Sequence, residues 1–336
     1  MFRHLYIFKF FLLINYYSYA QPNRFSFSQP KMGSPFNIIF YYGDSLQANA
    51  IAKECFALVD SFVTIYSDYL DSSELNRLCA KAGTADNSST VSPPLFDILL
   101  ISKMAYEKSE GTFDITLGPL TKMWRKARKE KLFPSPGTVK EKLGLTGFRN
   151  IKIDTVTHKI QLLETGMQLD LGGIAQGYIA QQVMDFLKTR NVVNALVDVS
   201  GDIVAVGAPP GTSGWSVGIN VPEQTDELQK KTLLITNKSV TTSGDVYQYM
   251  EHNGRRYSHI INPRTGYGIT SQKNVTVIAG DGTTADWLTK ACSILPVRKA
   301  KKLAHSLKAE VLIAELRKSK VIYYKSRGFG QYWKGG

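Results

Sequence analysis

With 336 residues and 43% hydrophobic side chains, the chain can bury a substantial core, in one large domain or two modest ones, which excludes a disordered or low-complexity protein. The net charge of +13 concentrates in residues 121–133 and 298–329, and neither run interleaves aromatics as a nucleic-acid module does. A nucleic-acid partner is therefore not expected, and both runs read as solvated helix faces. Cys55, Cys79 and Cys292 contain no C-x-x-C pair and are odd in number, so neither a disulfide framework nor a zinc site is expected.

In chain order, residues 1–20 have a basic start, an apolar stretch and Ser18-Tyr19-Ala20 at the end, the pattern of a secretory signal peptide cleaved after Ala20. No later apolar run approaches the roughly 20 residues of a membrane span. An exported, periplasmic protein is expected, soluble after cleavage. Residues 21–31 read as a loose polar leader, and 32–336 as one folded unit. "MGSPFNIIFYYG" gives a first strand; "SLQANAIAKECFALVDSFVTIYS" and "PPLFDILLISKMAYEKSEG" have the length and spacing of amphipathic helices. From 150 to 280 strand signals dominate, separated by Gly, Asn, Asp and Pro turns. A helix from Thr283, another through "RKAKKLAHSL", and strands at "AEVLIAEL" and "KVIYYKS" close the chain. The class is α+β, with mixed, largely antiparallel sheets and packed helices.

One stretch, "MQLDLGGIAQGYIAQQVMDFLK" (167–188), places Asp170 and the pair Gly172-Gly173 where a strand is expected to enter a helix. Bare backbone there suits an anion near unobstructed N–H groups, or simply a tight turn. Similar loops, each joining Gly to an acid, a His or a hydroxyl, recur as "EGTFD", "TTSGD", "YSHIINPRTGYG" and "GDGTTADWLTKA".

Together these loops resemble one family, the flavin transferases known as ApbE. "MGSPF" resembles its Met-Gly-Thr; "YSDYLDSSELNRLC" its Ser-x-Tyr and Ser-Glu-Leu; "GTFD" its Ala-Phe-Asp; "LDLGGIAQGY" its Asp-Leu-Gly-Gly-Ile-Ala-Lys-Gly-Tyr. "TSGDVYQYMEHNGRRYSHIINPRTG" is similar to its central signature, and "TTADWLTKA" to Thr-Ala-Asp-x-x-x-Thr-Ala. The resemblance implies a T-fold-like single catalytic unit. Its implied activity is an exported, Mg²⁺-using enzyme that moves FMN from FAD, through its phosphate, to a threonine of a partner protein, releasing AMP; the acceptor is of the flavinylated respiratory-subunit type. It further implies FAD contacts at Met32, Tyr69, Thr112, Phe113, Asp114, Asp170, Gln176 and Ile269. Metal ligands are implied at the Gly173 carbonyl and Asp286, and a proton acceptor at His259; Asp245 in "TSGD" reads as a carboxylate that positions His259 or the nucleophile, or as a capping or turn residue.

The sequence departs from the family at Cys79, where Asn is common; at Gln176, where Lys or Glu is usual; and at Asn262, often Asp. The fourth departure touches the chemistry. Lys290 stands where the family has a metal-ligating Thr, and an ammonium has no lone pair to give a metal. Thr289 lies about 100° away around a helix. One turn apart, Asp286 and Lys290 are expected to pair, with the ammonium in or beside the metal's volume. A hydrolase that splits FAD into FMN and AMP, and a non-enzymatic FAD-binding protein, are the alternative readings.

Overall fold

The computed structural model of the chain describes residues 22–222, 228–244, 249–317 and 320–334. The expected signal peptide and Asp245 lie outside them. β1 (Asn23–Lys31) pairs antiparallel along its length with β2 (Ser34–Tyr42). The two residues between them, Met32 and Gly33, have φ of 53° and 75°, the signs of a type I′ hairpin turn. The leader expected to be loose is thus a sheet strand from Asn23 onward. Phe25 and Phe27 alternate with polar residues and pack against the core beside Phe40, a pattern thinly drawn because this edge strand keeps one face in water.

α1 (Ser45–Tyr66) starts where the Asp44 side chain accepts from Gln47 N, and buries Ile51, Cys55, Val59, Phe62 and Tyr66 at helical spacing. α2 (Glu74–Ala80), β3 (Ser88–Thr90) and α3 (Pro93–Lys108) follow, both helices capped by serines. Next come α4 (Gly118–Glu130), α5 (Pro136–Gly144), β4 (Ile151–Asp154) and β5 (Lys159–Leu162), with β3, β5 and β4 forming a small sheet. α6 (Ala175–Thr189) leads to β6 (Ala195–Val199), β7 (Asp202–Val206), β8 (Trp215–Pro222), β9 (Leu228–Ile235) and β10 (Lys238–Gly244). A hairpin, β11 (Tyr249–His252) and β12 (Arg255–Ser258), precedes β13 (Lys273–Ala279). α7 (Gly282–Ile294), α8 (Val297–Ser306), β14 (Glu310–Arg317) and β15 (Lys320–Lys325) complete the order.

The main sheet runs β1-β2-β6-β7-β10-β13-β14-β15, and every pairing in it is antiparallel. Its inner strands are buried on both faces because side chains alternate and both sides are covered. Val275, Val277 and Ala279 of β13 join the core under α1, α6 and α7, while Ile278 joins a second core with Trp215, Leu233 and Phe329 beneath the β8–β9 ribbon.

The strand expected to run into Asp170 ends at Leu162. Met167, Leu169 and Leu171 do alternate into the core, yet the backbone of this segment bonds to helical turns and not to a strand: Leu169 N donates to Cys79 Sγ of α2 at 3.3 Å, and Asp170 N to Ile115 O of a short 3-10 turn at 2.8 Å. All three cysteines are free and buried.

Candidate active site

A cavity of about 980 Å³ opens where the β1–β2 turn, the end of α1, α4, the start of α6, the segment after β12 and α7 converge. That is the upper end of the ~300–1,000 Å³ typical of small-molecule sites. Met32, Tyr69, Thr112, Phe113, Asp114, Asp170, Gly173, Gln176, His259 and Lys290 all line it. Ile269 does not: it is buried behind the wall, exchanging backbone hydrogen bonds with Ser258 and Ile260, which bracket His259. Asp286 also stays outside the lining.

Asp170 is oriented from two sides. Its Oδ1 accepts from Gly172 N at 2.7 Å, and its Oδ2 lies 3.0 Å from an Nη of Arg125. The other Nη of Arg125 is bonded to Asp68, and the guanidinium lies 4.4 Å from the ring centroid of Tyr69, which is 78% exposed. Burial would lower the guanidinium's pKa, but Asp170 and Asp68 hold it above the ordinary arginine value. One turn further along α4, Arg128 also lines the cavity; burial and then the neighbouring Arg125 charge depress its pKa. The face of α4 read as solvated therefore sends two arginines into the site, while Lys126 and Lys129 stay exposed. Sequence reasoning missed Arg125 because its partners lie 57 and 45 residues away. The available signal was its place beside Trp124 on an otherwise charged helix.

In the wall itself, Asp114 starts a short 3-10 turn by accepting from Thr116 N at 2.8 Å and Thr116 Oγ1 at 2.7 Å. Burial pushes its carboxyl up to about 6, against these bonds. Phe113, fixed by its N–H to Ser109 Oγ at 2.9 Å, lies with its ring centroid 5.9 Å from that of Trp287. His259, half-buried, follows β12 in a loop closed by the Ile261–Gly268 bridge. Trp124 Nε1 of α4 donates to Gly266 O of this loop at 2.8 Å, and Phe133, Tyr257 and Tyr267 surround the indole. Asn262 serves the turn: its Oδ1 accepts from Arg264 N at 2.9 Å.

α6 and α7 cross at two glycines. A Cβ on Gly177 would lie 2.2 Å from Gly282 O, so nothing larger than glycine fits. The contact brings Asp286, 1% exposed, against α6, where its Oδ2 accepts from Gly177 N at 3.1 Å. Its Oδ1 faces Lys290 Nζ at 3.0 Å in an ion pair without hydrogen-bond geometry. Burial would lower the Lys290 ammonium, but Asp286 and Asp202 raise it above the ordinary lysine value. Asp202, also buried, is pushed up to about 7 by burial and then by the Asp286 charge. Sequence reasoning passed over Asp202, whose Ser-Gly-Asp context is ordinary turn chemistry.

A family model described as the ApbE family matches residues 32–313. The chain belongs to the ApbE family. It is 31% identical over 285 residues to an FAD:protein FMN transferase of Klebsiella pneumoniae (strain 342), covering 82% of this chain and 86% of that one. It is 33% identical over 268 residues to one of Treponema pallidum (strain Nichols), covering 76% and 74%. The structure superposes on the apo flavinyl transferase ApbE of Pseudomonas stutzeri with a TM-score of 0.83 at 26% identity, over 95% of this chain and 99% of that one. The ApbE match begins at Met32, just after β1, so the edge strand lies ahead of the matched region.

Proposed function

We propose that the chain is an FAD:protein FMN transferase. The observation that carries this reading is the convergence, in an ApbE fold, of Met32, Tyr69, Phe113, Asp170 and His259 on one cavity large enough for a dinucleotide. Tyr69 and Phe113 wall the rings of FAD. Thr112, Asp114, Asp170 and Gln176 bond its polar groups, and Ile269 contributes through the loop behind the wall. The acceptor's threonine Oγ attacks the FMN phosphorus in line. A new P–O bond forms as the bond to the bridging oxygen breaks, and that oxygen leaves with its electron pair on AMP. His259 takes the hydroxyl proton, and Asp245 positions His259 or the nucleophile. Positioning and charge supply most of the rate in phosphoryl transfer.

The residues present do not fit Mg²⁺ at the position the family resemblance implies. The Gly173 carbonyl and Asp286 are oxygen donors of the right kind, but Lys290 holds the free oxygen of Asp286, and no cluster of three His, Cys, Asp or Glu suited to a metal occurs among the described residues. That substitution also favours a second reading, an FAD-binding protein without transfer; a pyrophosphatase would use the same cavity with water as nucleophile. An exported enzyme acting on a periplasmic acceptor follows from residues 1–20, and no described helix is long and apolar enough to cross a membrane.

The test is AMP release from FAD by the mature chain, with and without an acceptor domain of the flavinylated respiratory type. Release that requires the acceptor supports transfer. Release with water alone supports the pyrophosphatase, and intact bound FAD supports the binding protein.

A further inference from the structure

The cavity carries a cation of the protein's own. Lys290 lines it, whereas Asp286 and Asp202, the two carboxylates that act on its ammonium, are 1% and 7% exposed and stand behind it. The lysine stem passes over Gly173, where an added Cβ would sit 3.2 Å from Lys290 Cγ. The bare backbone beside Asp170 thus makes room for a lysine as well as for a ligand. A divalent ion at Asp286 would have to evict an ammonium 3.0 Å from Oδ1 and leave it beside the metal, buried and repelled. An anion arriving from the cavity meets no such obstacle.

We propose that Lys290 is a diphosphate-binding residue, a tethered ammonium that neutralises the diphosphate of a dinucleotide in place of a divalent metal, so that binding needs no Mg²⁺. The proposal rests on the reading above for the identity of the ligand, FAD. Lysine suits phosphate as a point charge, as in phosphate-binding loops. Asp286, 3.0 Å from the ammonium and itself held by Gly177 N, fixes where that charge sits.

The experiment is FAD titration by flavin fluorescence on the mature chain, in millimolar MgCl₂ and in EDTA, with riboflavin as a flavin that lacks phosphate. The wild type is expected to bind FAD equally, within about twofold, in both buffers. Lys290→Met should weaken FAD about tenfold or more while changing riboflavin less than about twofold, the size expected for loss of one charge-assisted contact. Lys290→Arg keeps the charge and should retain FAD within a few fold, which separates lost charge from misfolding. Lys290→Thr should make FAD affinity rise on adding Mg²⁺. Wild-type affinity that collapses in EDTA, or a Lys290→Met variant that binds FAD like the wild type, overturns the proposal and leaves the transferase reading standing. No FAD binding in either buffer overturns both.

Discussion

Asp170 meets Gly172 N with one oxygen and Arg125 with the other, so its side chain is set before any ligand arrives. Replacing it by Ala should cost FAD at least about tenfold in affinity, since a fixed carboxylate forms charge-assisted bonds. Arg125 keeps Asp68, so unfolding should stay cooperative; titration and thermal melts check both. Asp114 allows a pH prediction with a definite sign. Its folded pKa of about 6 exceeds the ordinary aspartate value of 3.8, so the folded state binds the proton more tightly. Its contribution to stability is full below the unfolded value and is lost as pH rises through about 6, an effect on the order of 2–3 kcal/mol. Asp114→Asn keeps an acceptor for Thr116 and should remove that slope, so melting temperatures of wild type and variant from pH 4 to 7 should differ in trend. A wild-type curve parallel to the variant's would refute it. At this scale the sequence singles out Asp170 and His259 because the motifs that carry them, "LDLGGIAQGY" and "YSHIINPRTG", are contiguous in the chain, and both side chains line the cavity. Arg125 and Asp202 stayed hidden because what defines them is a partner distant in the chain.

Helices α1, α3, α7 and α8 were legible because capping and the 3.6-residue period act within a few residues. β1 and the segment 167–171 were misread for the opposite reason. Whether an alternating stretch becomes a strand depends on whether a neighbour pairs with it, and pairing is not local. The α6–α7 crossing shows what an element needs from one atom. Gly177→Ala would place a Cβ 2.6 Å from that of Asp286 as well as against Gly282 O. Separating the helices should cost about 1–3 kcal/mol or more and displace Asp286 and Lys290 together. Gly144→Ala, where an added Cβ meets nothing within 4 Å, should be near neutral. Equal melting temperatures for the two variants would contradict the close crossing.

The whole molecule holds its site through one continuous sheet, with the cavity among loops and helix ends that several elements must place at once. β1 belongs to that frame although the family match begins after it. Removing residues through Lys31 would uncover β2 along its hydrogen-bonding edge and withdraw Phe25 and Phe27 from the core. That truncation should melt several degrees lower and aggregate more readily than a chain beginning at Gln21, as light scattering during heating would record. Unchanged melting would mean that β1 is dispensable. The α+β class and its antiparallel strands were readable from patterning; the sheet order, which brings β6 beside β2 and β13 beside β10, was not, because it depends on contacts between distant segments.

The most direct measurement is the intact mass of an acceptor domain of the flavinylated respiratory type after incubation with FAD and the mature chain, in parallel with His259→Ala. The expected result is a gain equal to FMN less one water on a threonine, and labelling slowed about 100-fold or more by His259→Ala with FAD still bound. An acceptor that keeps its mass while the protein binds FAD, or a His259→Ala variant that labels at the wild-type rate, would contradict it.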